Sequence, residues 1–80
     1  MIVNGEYIYK GQNLTTLILA KIEHVVSLIA ERESLSFELA YHEFMKTKTY
    51  RNLINTQTLL WGESAEFIVD DYIAEINSKA

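Results

Sequence analysis

The residues most able to do chemistry sit near the C-terminus. Glu66, Asp70, Asp71 and Glu75 form a run of carboxylates. At helical spacing Glu66 neighbours Asp70, and Asp71 neighbours Glu75. Paired carboxylates can exchange protons or hold a hard cation. A straight helix face, however, gives neither the burial nor the cleft that would separate two pKa values. No Asp-x-Asp-x-Asp-Gly loop accompanies the run, so a calcium-binding EF-hand is excluded. The expected role is a solvated acidic face, or a docking surface for a basic partner. A second cluster is basic: Lys46, Lys48 and Arg51 lie within the stretch Lys46 to Ser64, beside Thr47, Thr49, Thr56, Thr58, Ser64 and the only Trp. No nucleophile elbow, phosphate-cradling Gly-rich loop or His-Glu-x-x-His motif occurs. Catalytic residues, metal ligands and cofactors are therefore not expected.

Eighty residues make one small domain. A chain of this size buries roughly 60% of the surface that its unfolded form exposes. Domains below about 70–80 residues often need a further staple. Cysteine is absent, which excludes disulfides and Cys-based zinc sites. A partner chain or a second copy is thus a reasonable source of the missing stability. The net charge of −4 disfavours non-specific attraction to nucleic acid or anionic membrane. An apolar share of 49% suits a folded chain. The most apolar stretch, Leu17 to Ala30, is broken by Lys21, Glu23 and His24 and is too short to span a bilayer. The N-terminus lacks the pattern of a signal peptide, so the cytoplasm is the expected location.

These residues must be placed by helices. Proline is absent, so breaks fall to Gly, Asn, Ser and Thr. Residues 1–12 read as a tail or a short β-hairpin about Asn4-Gly5, a type I′ turn signal. Residues 13–80 read as one helical domain. A first helix follows Asn13 as N-cap and ends near Arg32. Its core face carries Leu14, Leu17, Ile18, Ile22, Val25, Val26 and Ile29. His24 lies at the border of that face.

Ser34 or Ser36 caps the second helix. Phe37, Ala40, Tyr41, Phe44 and Met45 form its apolar stripe, Glu38 and His42 an i, i+4 pair on the wet side, and Leu39 points away from the stripe. Thr47 to Thr49 is a break with a hydroxyl cap. A two-turn third helix carries Tyr50, Leu53 and Ile54, and Asn55 to Thr58 is a polar turn. Leu59-Leu60-Trp61 is an apolar link ended by Gly62. Ser64 caps a last helix whose inner face is Ala65, Ile68, Val69, Tyr72, Ile73 and Ile76. Phe67 falls on its polar side. The expected fold is all-α, a small bundle of four short helices.

Two functional readings follow. Leu39 and Phe67 on polar faces, Leu60 and Trp61 in a link, and Asp70 and Asp71 on an acidic helix suit a protein–protein interaction surface. Helix two, a three-residue break and helix three also have about the length of a helix-turn-helix, with Leu59 to Trp61 as a wing strand. Lys46, Lys48 and Arg51 would then face nucleic acid. The acidic total, the short third helix and the missing turn glycine count against that alternative.

Thr47-Lys48-Thr49-Tyr50, Leu53, Asn55, Thr58, Leu60-Trp61 and Glu63-Ser64, with Phe44 before and Phe67-Ile68 after, resemble a family of small bacterial helical proteins of uncharacterised activity. The resemblance covers residues 37 to 73 and leaves out the first twelve. Thr47 and Asn55 replace the family's serine and acidic turn residue. The resemblance implies a helical fold and gene clusters that also encode toxin-like proteins, including ones resembling ADP-ribosyltransferases. It implies a small partner or antitoxin-like neutraliser, and no catalytic residue.

Overall fold

The computed structural model describes residues 2–3 and 6–78. Three short strands, β1 (Ile2–Val3), β2 (Glu6–Tyr9) and β3 (Gln12–Asn13), form an antiparallel sheet with β2 in the middle. The expected Asn4-Gly5 turn lies outside the described residues. The turn from β2 to β3 is Lys10-Gly11, with φ of 50° and 80°. Two successive positive φ values are the type I′ pattern, and Gly11 meets them without a Cβ clash. The hairpin alternative for the N-terminal segment therefore holds, extended by a third strand.

Four helices follow: α1 (Thr15–Glu33), α2 (Phe37–Met45), α3 (Lys48–Ile54) and α4 (Ala65–Ser78). Two 3-10 turns, Thr56–Thr58 and Leu60–Gly62, link α3 to α4. The boundaries follow from local chemistry. Ser34 takes a left-handed conformation (φ 55°) and ends α1, its N–H bonding the Ala30 carbonyl. Ser36 Oγ accepts from the Leu39 N–H at 3.2 Å, and Ser64 Oγ from the Phe67 N–H at 3.1 Å. Both are the expected N-caps. Asn13 stands one place further out than expected. Its Oδ1 accepts from the Thr15 N–H at 2.9 Å, while the N-cap position itself is Leu14. The expected wing strand is replaced by the 3-10 turns, because Leu59 adopts φ 61° and turns the chain out of any extended path.

α1 is the spine. Ile18, Ile22, Val25, Val26 and Ile29 are buried against Ala40 and Phe44 of α2, Leu53 of α3, and Ala65, Ile68, Val69 and Tyr72 of α4. Phe44 lies at the junction, edge-on to Tyr50 at 5.5 Å and to Tyr72 at 5.9 Å. Truncating such a fully buried ring costs about 3–5 kcal/mol. Three residues assigned to core stripes by spacing lie outside the core. Leu17, Phe37 and Met45 are each 40% or more exposed. An α2 of nine residues rests on α1 through Ala40 and Phe44, so the edges of its apolar stripe extend past the contact. Among the described residues no helix is long and apolar enough to cross a membrane.

Candidate interaction surface

The hydroxyl-rich stretch is a set of backbone anchors. Thr47 Oγ1 donates to the Phe44 carbonyl at 2.7 Å and accepts from the Tyr50 N–H at 3.1 Å, so one hydroxyl ends α2 and starts α3. The first two N–H groups of α3 are met from α4. Glu75 Oε2 accepts from the Lys48 N–H at 2.8 Å. Glu75 Oε1 accepts from the Thr49 N–H at 2.9 Å and from Thr49 Oγ1 at 2.8 Å. The positive end of α3 is thus covered by a carboxylate.

The acidic run does not act as a unit. Asp70 Oδ1 meets Arg32 Nη1 at 3.2 Å, tying α4 to α1. Glu75 belongs to the α3 cap, and Glu66 and Asp71 are exposed. Lys21 Nζ adds a second α1 tie, donating to the Glu63 carbonyl at 2.8 Å. Among the described residues no group of three His, Asp or Glu side chains could hold a metal ion.

The cations of the nucleic-acid alternative are dispersed in role. Lys46 Nζ is 3.7 Å from Glu43 Oε1, one turn back on α2. Lys48 and Arg51 are exposed on α3. A helix N-terminus offered to phosphate needs open N–H groups, and those of Lys48 and Thr49 already face Glu75.

Leu60 and Trp61 face inward. Both are half-buried and packed on the core. Trp61 Nε1 donates to the Thr56 carbonyl at 2.9 Å, and its ring meets Tyr9 edge-on at 5.6 Å. Thr56 Oγ1 donates to the Ile8 carbonyl at 2.9 Å, which fastens β2 to the same turn. Thr58 Oγ1 donates to the Asn52 and Asn55 carbonyls and accepts from the Leu60 N–H. Leu59, between the two turns, is exposed.

α2 carries an exposed apolar edge. Phe37, Tyr41 and Met45 recur every four residues and form one outward edge, with the Phe37 and Tyr41 rings 6.2 Å apart. Together with Glu38 and His42 they line a shallow groove of ≈ 330 Å³. Leu39 is exposed on the opposite side of α2, and Phe67 on the outer face of α4. Spacing alone assigned Phe37, Tyr41 and Met45 to the core. Tyr41 is half-buried and packed on the core as expected, while the short reach of α2 across α1 leaves Phe37 and Met45 at the surface.

Two phenols bordering this region are perturbed. Burial pushes the Tyr50 phenol above its usual value, and the Tyr7 and Tyr41 phenols add to the shift. Burial also raises Tyr72, reinforced by the carboxylates of Glu33, Glu43 and Glu75. Both are held neutral at physiological pH and have no general-base role there. No protein-family model matches the chain, and neither a curated protein nor a solved structure matches it.

Proposed function

We propose that the chain is a protein–protein interaction module whose docking surface is the outer face of α2. The observation that carries this reading is the Phe37–Tyr41–Met45 edge, which lines a shallow groove and two of whose three side chains are exposed. Scattered single apolar residues on a surface are ordinary. Three in register on one helix, beside a groove, are the arrangement by which helices pack on other helices. Asp70 and Asp71 contribute negative charge on α4. The resemblance to small proteins of toxin-bearing gene clusters supports a co-encoded protein as the partner.

The nucleic-acid alternative has less support. The third helix spans only Lys48–Ile54, and the Glu75 carboxylate lies where a phosphate would approach its N-terminus. The test is affinity capture from the source cell with the tagged chain, comparing wild type with a Phe37→Ser, Met45→Ser variant. Retention of one stoichiometric protein by the wild type and its loss in the variant is the expected result. Equal retention by both would move the surface elsewhere. Salt-sensitive DNA binding that disappears in Lys48→Ala, Arg51→Ala would favour the alternative.

A further inference from the structure

We infer that the hairpin of β2 and β3 is a displaceable strap, which opens as one unit and uncovers Tyr50, Thr56 and Trp61 while the four helices stay folded. This is independent of the α2 reading. Every buried apolar side chain among the described residues belongs to a helix, Ile18 being the first along the chain. Tyr7, Ile8 and Tyr9 of β2 are only half-buried, and of the three Tyr7 packs on the core. Losing the strap therefore leaves the contacts among the helices complete. Strands of four and two residues are marginal as an isolated hairpin, so contacts to the helical body hold this one in place. β1 pairs with β2 and travels with it.

The ties are specific and adjacent. Thr15 Oγ1 accepts from the Tyr7 N–H at 2.9 Å, and the Leu14 N–H donates to the Tyr7 carbonyl at 2.6 Å. Thr56 Oγ1 donates to the Ile8 carbonyl at 2.9 Å, and the Tyr9 ring meets Trp61 edge-on at 5.6 Å. All run through three consecutive residues, so they break together. The body keeps its own bonds when they do. Trp61 Nε1 still donates to the Thr56 carbonyl, and Asn13 Oδ1, two residues away, still accepts from the Thr15 N–H. Leu14, an N-cap whose side chain makes no capping bond, is the hinge. The turn adds a weakness. Lys10 holds φ 50° where a type I′ turn favours Asn or Gly, so the released hairpin does not persist.

The test is native-state amide exchange on the full chain, read by NMR. The N–H groups of Tyr7 and Leu14 make two of the ties. Their protection factors should agree within about threefold and lie at least about tenfold below those of Val25 and Val26, buried in α1. Tyr9→Ala removes the ring contact with Trp61 and should lower protection at Tyr7 and Leu14 by about tenfold. Ile29→Val thins the helical core and should lower protection at Val25 and Val26 by about threefold or more. It should leave Tyr7 and Leu14 unaltered, because the closed and opened forms share that core. Circular dichroism melts check that both variants remain folded. Equal protection at all four amides overturns the inference, since only global unfolding then releases the strap. So does an Ile29→Val effect that reaches Tyr7 and Leu14, or a Tyr9→Ala variant as protected there as the wild type.

Discussion

Removing the Glu75 side chain should destabilise the fold far more than its place on a polar helix face suggests. The carboxylate accepts three hydrogen bonds from α3, and each can be weighed separately. The Lys48 N–H is exposed, so water replaces the carboxylate there at small cost. Thr49 is only 5% exposed, and Glu75→Ala leaves both its N–H and its hydroxyl without that acceptor. Each such loss costs about 1 kcal/mol or more, and the lost charge at the helix N-terminus adds about 0.3–1 kcal/mol. The total is about 2–3 kcal/mol, which for a domain of this size lowers Tm by roughly 10–20 °C.

Urea denaturation and calorimetry measure this directly. Asp71→Ala, an exposed neighbour on the same helix, is the control and should change stability by less than about 0.5 kcal/mol. Glu75→Gln keeps an acceptor oxygen without the charge and should fall between the two. A double-mutant cycle with Thr49→Val should give a coupling of about 1 kcal/mol. If Glu75→Ala and Asp71→Ala prove equally mild, the carboxylate does not hold α3, and the account of that helix is wrong.

Three further outcomes follow from the same structure. Trp61→Phe keeps a ring beside Tyr9 but removes the donor to the Thr56 carbonyl, and should cost about 1–2 kcal/mol in urea melts. Leu59→Gly relieves a left-handed residue by about 1–2 kcal/mol and adds unfolded-chain entropy of about 0.4–1 kcal/mol, so a net gain of roughly 0.5–1 kcal/mol should appear as a higher Tm. Stability should also fall in alkali. Tyr50 and Tyr72 have raised folded-state pKa values, so the unfolded chain loses these protons first. Their contribution is intact below about pH 10, the unfolded value, and is lost as pH rises through the folded ones. Tyr72→Phe should flatten that alkaline decline in a pH series of melts.

Local chemistry was legible in the sequence, and long-range chemistry was not. Ser36, Thr47 and Ser64 can be read as caps because each bonds an N–H three residues on. The four helices follow from apolar spacing, since that period survives whatever the helices pack against. Glu75 bonds Lys48 and Thr49 from 27 and 26 residues away, and nothing near it in sequence marks it as different from Asp71. The only available hint was the two amides at the start of α3 that the Thr47 hydroxyl cannot reach. Trp61 stood out by rarity, but its inward direction depends on Thr56 and Tyr9. Spacing put Phe37, Tyr41 and Met45 in one stripe with Ala40 and Phe44. It could not tell that α1 covers only one edge of that stripe.

The central claim, that the outer face of α2 meets another protein chain, can be tested inside the source cell. A photo-crosslinking benzoylphenylalanine placed at Tyr41 should trap one discrete protein adduct, the chain itself or another protein. The same group placed at Glu66, exposed on α4, should not trap it. Irradiation that yields no adduct at Tyr41, or the same adducts at both positions, would contradict the account.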